Sequence, residues 1–285
     1  MALVIKENCW KWDSSKGPYF MKYYEDLFVA QKVKMIHNTL EKLQFPYHIR
    51  AEKNEDAHIL KQRWFEGNSA DYRKLEDQRK SLMVLQELHE TRYEFDWVSQ
   101  DLLPYYHLKE KWTQRLSRFI ENEEPLTAFL HENYKKIVTM DENALDNMEN
   151  TSFSKKSRTL IHGDVVHHNF MINDEGIKIV DFDLAAVGEY TDELILWLHR
   201  VLPNVSYNLI ALMNYHPYLH HVKDKLHYLR FPNEVMREAL FYLKCNSRQQ
   251  MACYPFIQSL VRETVENEQQ LNRMIDTESD RKSVV

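Results

Sequence analysis

Ile161-His162-Gly163-Asp164 is followed by Asn169 five residues past the aspartate and by Ile179-Val180-Asp181-Phe182-Asp183 further on, which places a base and two oxygen ligands for a hard cation in one stretch of chain. Phosphoryl transfer needs that equipment, because the protein's work is in-line positioning and the offsetting of charge on phosphate oxygens. Asp164 can accept the hydrogen bond of an attacking hydroxyl and orient it. Asn169 offers a neutral carbonyl oxygen and Asp181 a carboxylate to Mg2+, a cation that takes few protein oxygens and leaves its other positions to water and nucleotide phosphates. His162 reads as a hydrogen-bonded brace of the loop and Gly163 as the residue that lets the backbone turn tightly. A zinc set drawn from His162, His167, His168 and Asp181 is the distant alternative, since the helical His spacing of metalloproteases and a nearby cysteine are both missing. Taken singly, His167 and His168 are ordinary loop residues.

The elements that must position these groups are legible in outline. Asn8–Asp13 is aromatic-rich, 14–17 is a turn, and 18–24 carries large residues throughout, which predicts a hairpin whose second strand bears Lys22. Aromatic and apolar neighbours would hold the stem of Lys22 and aim its ammonium toward phosphates, although a lone strand lysine is equally an ordinary surface residue. Val33, Ile36, Leu40 and Leu43 predict a helix over 31–43, and 47–51 with 57–64 predict a second hairpin. After a cap at 67–69, Leu75, Leu82, Leu85 and Leu88 share one face of a long helix. A helix follows through Leu108, Trp112, Leu116 and Phe119, whereas the acidic stretches from Glu121, 141–150 among them, read as loop or weakly packed helix. Short strands at 159–161, 170–172 and 177–181 put the motif on loops at strand ends. Five helical segments follow Gly188, with Pro217, Pro232 and Pro255 at tolerated starts and a frayed tail from Asp276.

Composition narrows the partners. The 285 residues carry a formal charge of −6, which leaves no electrostatic footprint for nucleic acid, and Lys155, Lys156 and Arg158 read as a solvated approach to a strand. No run of eighteen apolar residues and no export signal is present, so no membrane partner and a cytoplasmic location are expected. Cys9, Cys245 and Cys253 read as packing residues. Glu121–Glu124 and Glu266–Glu268 read as solvated faces, and Tyr190 and Trp197 as core rather than as a quaternary-ammonium box.

These residues resemble the aminoglycoside phosphotransferase and choline kinase family, and within it the spore-coat-associated branch. Lys22, Trp64-Phe65-Glu66-Gly67, Leu85–His89 and Leu229-Arg230-Phe231-Pro232 extend the likeness over most of the chain. The resemblance implies an α+β, two-lobed protein-kinase-like fold, with a small antiparallel-sheet N-lobe over 1–65 and a mostly helical C-lobe over 66–285. It implies ATP and Mg2+ as cofactors and a small-molecule hydroxyl as acceptor, with Asp164 catalytic, Asn169 and Asp181 on magnesium, and Lys22 on nucleotide phosphates. Gln62, Arg63, Trp64 and Phe65 would form the hinge that holds adenine. Asp192 would be the buried aspartate that holds the catalytic loop's backbone, and Asp183 would support the loop or approach the metals. Spore-coat proteins as partners, and the spore coat as a second location, come with the branch. Two departures stand out. Only 21 residues precede Lys22, with Gly17 the one glycine among them, which implies a shortened N-lobe and a lost nucleotide lid. Where the family places a helix glutamate to pair with the strand lysine, this chain has Gln31, leaving Glu25 or Glu41 as substitutes. The expected function is therefore a small-molecule kinase, with a weak or inactive spore-coat assembly protein as the alternative.

Overall fold

The computed structural model describes residues 2–148 and 157–280. Backbone contacts divide them into one unit of residues 2–106 and 157–193 and another of residues 107–148 and 194–280. The boundary expected at residue 65 lies in the first of these.

The first unit opens with β1 (Ala2–Lys6), β2 (Cys9–Ser14), β3 (Gly17–Tyr23) and β4 (Ile59–Arg63), an antiparallel sheet in that order. The predicted hairpin is β2–β3, closed by Ser14 and by Gly17 at φ 104°. The front is not bare, because Leu3-Val4-Ile5 forms a further strand paired to β2. Five residues with all side chains exposed carry too little alternation to announce themselves as a strand.

Register sets Lys22 against Cys9 on one side and Leu60 on the other, and α1 (Leu27–Lys42) packs on that face through Tyr24, Ala30, Val33 and Leu60. Asp26 caps α1 by accepting from the Phe28 amide at 2.8 Å, so the helix starts earlier than its apolar period suggests. Of the second expected hairpin only β4 is a strand, and Ala51 contributes an isolated bridge to Gln62. The 67–69 segment is not a helix cap: Asn68–Ser69 is β5, and α2 (Leu75–Glu90) begins after Lys74. Leu82, Leu85 and Leu88 are buried on α2 as expected, whereas Leu75 is exposed.

The motif region follows the prediction closely. β7 (Phe170–Asn173) and β8 (Gly176–Ile179) form a hairpin with β5 on its edge, and the Asn173 side chain accepts from the Glu175 and Gly176 amides in the turn. β6 (Arg158–Ile161) pairs with β9 (Ala186–Glu189). Lys155 and Lys156 lie outside the described residues. Arg158 is not solvated but buried, its guanidinium 5.4 Å from the Tyr105 ring.

The second unit holds α3 (Leu108–Glu121), α4 (Glu123–Leu130), α5 (Asn133–Asp146), most of α6 (Tyr190–Val201), α7 (Leu209–Tyr215), a 3-10 run over Pro217–Arg230, α8 (Asn233–Lys244) and α9 (Ser247–Asp280). The acidic stretch, expected as loop or weakly packed helix, is helix through Asp146, while 149 and 150 lie outside the described residues. Leu126, Phe129, Leu130, Tyr134, Ile137, Ala144 and Leu145 are buried among its acids, and their inward period outweighs the polar composition. α9 passes through Pro255 instead of starting there, and its last turns reach Asp280 with Asp276 paired to Arg230. Trp197 is fully buried core. All three cysteines are free, Cys9 buried and the others half-buried. Among the described residues, no helix is long and apolar enough to cross a membrane.

Candidate active site

The catalytic loop is held from inside the first unit. β6, buried along its whole length, delivers His162, whose Nε2 lies 2.9 Å from the Val180 carbonyl. Its Nδ1 lies 3.4 Å from the Asp164 amide, so Nδ1 accepts and Nε2 carries the proton. The ring packs on Phe182 at 4.9 Å, so His162, expected as a loop brace, touches Val180, Asp164 and Phe182. Gly163 sits at φ 78°, and a Cβ there would come within 2.4 Å of the Leu184 carbonyl oxygen, so only glycine fits without strain. Asn169 donates through Nδ2 to the Asp164 carbonyl at 2.9 Å and to Asp164 Oδ2 at 3.3 Å. The Tyr72 hydroxyl donates to the Val165 carbonyl at 2.9 Å and supports the loop between them.

The carboxylate on the loop backbone is that of Glu193. Its Oε1 accepts from the Gly163 amide at 2.7 Å and its Oε2 is 2.8 Å from His89 Nε2, with both side chains wholly buried. Burial would raise the Glu193 carboxyl, but the bonds from His89 and the Gly163 amide override it and hold the group below the ordinary glutamate range. Asp192, expected to hold the loop backbone, is buried in the same turn one residue before Glu193. Adjacent acids at a helix start differ by about 100° in direction, and nothing in their order says which one faces the loop.

The acidic loop is held by cations. Asp181 adopts φ 67°, a left-handed conformation that aspartate tolerates better than most residues. Lys22 Nζ donates to Asp181 Oδ1 at 2.8 Å and to Asp183 Oδ2 at 2.5 Å, and the Tyr24 hydroxyl donates to Asp183 Oδ1 at 2.9 Å. Two carboxylates sharing one lysine move apart. Burial would raise Asp181, but Lys22 overrides it and draws the carboxyl down to about 2. Burial and the neighbouring Asp181 charge push Asp183 up.

Two further lysines complete the grip. Lys32, 5% exposed, donates to the Asp183 carbonyl at 2.6 Å and the Ala185 carbonyl at 3.1 Å, and burial lowers its pKa. Lys6, at the end of β1, lies 3.6 Å from Asp181 Oδ2. Sequence reasoning missed both, Lys6 because β1 was not foreseen and Lys32 because the helix alignment pointed to Gln31. Gln31 is exposed, and the inward residue beside it is a cation. The proposed substitutes do not reach Lys22: Glu41 faces His48 at 3.3 Å and Arg50 at 3.5 Å, and Glu25 makes no ion pair among the described residues.

At the expected hinge, Gln62 is buried and donates to the Ile49 carbonyl at 2.6 Å, while Arg63 donates to the Lys16 carbonyl and lies 3.4 Å from Glu52. The Trp64 amide donates to the Pro18 carbonyl at 3.1 Å and its indole to Glu66 at 2.6 Å. The Phe65 amide has no hydrogen bond among the described residues.

The two loops are stitched together by His162, which touches Val180 and Asp164, and by the Val180 amide, which donates to the Asn169 carbonyl at 2.9 Å. Lys22, Asp164, Asn169, Asp181 and Asp183 therefore belong to one hydrogen-bonded assembly. Among the described residues no three His, Cys, Asp or Glu gather as a metal-ligand group, and both His162 nitrogens are already engaged, so the zinc set does not form. His167 and His168 are exposed.

The fold is that of kinase-like phosphotransferases. An aminoglycoside phosphotransferase from Alicyclobacillus acidocaldarius is 15% identical, with 97% of this chain and 92% of that one covered and a TM-score of 0.64. Macrolide 2'-phosphotransferase from Brachybacterium faecium is 14% identical, with 92% and 91% covered and a TM-score of 0.56. An amicoumacin kinase solved with AMP-PNP and Ca2+ is 11% identical, with 92% and 87% covered and a TM-score of 0.57. No curated protein matches this chain. The model of the phosphotransferase enzyme family matches residues 48–205, more than half of the sequence and the whole of the two loops. By that match the chain belongs to the phosphotransferase enzyme family.

Proposed function

We propose that the protein transfers the γ-phosphate of ATP, with Mg2+, to a hydroxyl of a small molecule. The observation that carries this reading is the joined pair of contacts, Asn169 on Asp164 and Lys22 on Asp181, bridged by His162. The residues fit the cation: Asn169 uses its Nδ2 and leaves Oδ1 without a donor among the described residues, and Asp181 Oδ2 is paired with Lys6 at 3.6 Å. Those two oxygens would hold Mg2+, whose charge offsets that of the phosphates when it is bound.

Each residue then has a task. Asp164, its carboxylate fixed by Asn169, accepts the hydrogen bond of the acceptor hydroxyl and takes its proton as the oxygen attacks. Lys22 shifts from Asp181 to a phosphate oxygen while Asp183, anchored by Tyr24 and Lys32, keeps its ammonium aimed. The free Phe65 amide is the hinge donor available to adenine, with Gln62, Arg63 and Trp64 shaping the approach.

Incubation with ATP, Mg2+ and a broad library of alcohols and amino alcohols tests the reading. Wild type should transfer phosphate about 100- to 10,000-fold faster than Asp164→Asn; equal rates would end it. A catalytically weak, kinase-like assembly protein, in the spore coat or elsewhere, is the second reading. The observation in its favour is that α1 presents the cation Lys32, and no carboxylate, toward the acidic loop. Measurable turnover in wild type would count against it.

A further inference from the structure

The turn between α8 and α9 brings two of the three cysteines together. Asn246 begins α9 with a reciprocal cap: its side chain accepts from the Gln249 amide at 3.0 Å, and the Gln249 side chain accepts from the Asn246 amide at 3.0 Å. Cys245, the C-cap of α8, therefore stands just ahead of that cap, where a side chain packs back over the fourth residue of the new helix, Gln250. Gln250 fixes the packing. Its Nε2 donates to the Tyr242 carbonyl at 3.1 Å, the same oxygen that takes the Cys245 amide at 3.1 Å.

Cys253 reaches the same place from the other side. A helical side chain leans toward the N-terminus of its helix, so a residue one turn past Gln250 folds back over it. The Cys253 thiol donates to the Gln250 carbonyl at 3.6 Å. Its sulfur still has lone pairs to offer, and the Cys245 thiol is hydrogen-bonded to it. Partial burial, this contact and the Glu238 carboxylate push the Cys245 thiol up, so Cys245 is the partner that keeps its proton. Packing explains Cys9, which is 1% exposed, but not this pair. Both thiols are half-buried at a polar turn where Lys244, Asn246, Met251 and Ala252 are exposed, so small solutes can reach them.

We infer that Cys245 and Cys253 form a dithiol site, oxidised reversibly to an intramolecular disulfide by small disulfide compounds of the glutathione type. The Cys253 thiolate attacks one sulfur of the small disulfide and expels the other half, leaving a mixed disulfide on Cys253. Cys245 then gives up its proton and attacks Cys253 Sγ, expelling the second half. Two protein thiols are oxidised, one small disulfide is reduced, and the two expelled thiolates take up the two protons. The new bond ties the end of α8 to the second turn of α9.

Oxidised glutathione is the probe. The whole chain is incubated with it, quenched in acid and mapped by mass spectrometry. In the native chain the Cys245–Cys253 disulfide should exceed mixed disulfides at the two cysteines by about tenfold or more, because the second step joins groups already in contact. In guanidinium, where the contact is lost, that ratio should fall by about tenfold. Cys245→Ser should stop at the mixed disulfide on Cys253, while the wild-type ratio needs no variant to fold. Thiols left unreacted, mixed disulfides that accumulate in the native chain, or a ratio unchanged by guanidinium would each overturn the inference. Chains cross-linked to a second copy through either cysteine would overturn it equally. The inference stands apart from phosphoryl transfer, in which neither cysteine has a part, so failure of transfer leaves these outcomes unaffected.

Discussion

The two loops of the candidate active site are held in opposite ways. The loop of His162–Asn169 is fastened by the wholly buried Glu193–His89 pair, by a glycine with no room for a side chain, and by neutral bonds to Val180 and Tyr72. The loop of Asp181–Ala185 is fastened by Lys22, Lys32 and Lys6, cations supplied by the sheet and by α1. Wholly buried hydrogen-bond networks set one geometry rigidly, whereas charge pairs that solvent partly reaches can be exchanged for other charges. On the proposed function, the loop that would orient the acceptor is thus prebuilt, and the loop that would meet nucleotide and cation is poised to trade partners.

Glu193→Ala should strain this contrast most. It strips the Gly163 amide and His89 of their buried partner, and denaturant melts should show a loss of about 3–5 kcal/mol. The same carboxyl gives a pH test. Its folded pKa lies below the unfolded value near 4.5, so its stabilisation is present above that pH and disappears as pH falls through the lower, folded value. Acid melts should therefore lose stability below about pH 4.5 in wild type, with a shallower slope in Glu193→Gln. An unchanged slope would remove Glu193 from the account.

Gly163→Ala comes next. A Cβ against Leu184 at a positive φ should cost about 1–3 kcal/mol and displace Asp164, lowering transfer without altering ATP affinity. A fall in ATP affinity instead would blur the separation between the loops.

Lys32→Met reverses the pattern. Loss of its bonds to two carbonyls should cost about 1 kcal/mol, yet shrink the rise in Tm that ATP and Mg2+ together produce. A full rise would show that Lys32 only fills space. Lys6→Ala should have the smallest effect: Lys6 is 62% exposed, so the pair contributes about 0–1 kcal/mol and fades with added salt.

The same contrast marks what could be read from sequence. The prebuilt loop was legible because its residue types are specific: a glycine that must turn, an aspartate and an asparagine at fixed spacing, strands of β-branched residues on either side. The hairpin of β7 and β8 was legible for the same reason, through Asn173 and Gly176 in its turn. The cations were not. Lys32 lies one position from the residue alignment favoured, and only the packing of α1 on Tyr24 and Leu60 decides that it, and not Gln31, turns inward. Lys6 depended on a strand too short and too exposed to show a period. Glu193 and Asp192 differ only in helical phase. Residue type is written locally, whereas the direction of a charged side chain is set by tertiary packing.

Titration of ATP, with and without Mg2+, into wild type and Asp181→Asn tests the central claim most directly. If Asp181 leaves Lys22 to take the cation, Mg2+ should tighten ATP binding to wild type by about tenfold or more and add little in Asp181→Asn. ATP binding that ignores Mg2+ in wild type, or a full Mg2+ response in Asp181→Asn, would contradict it.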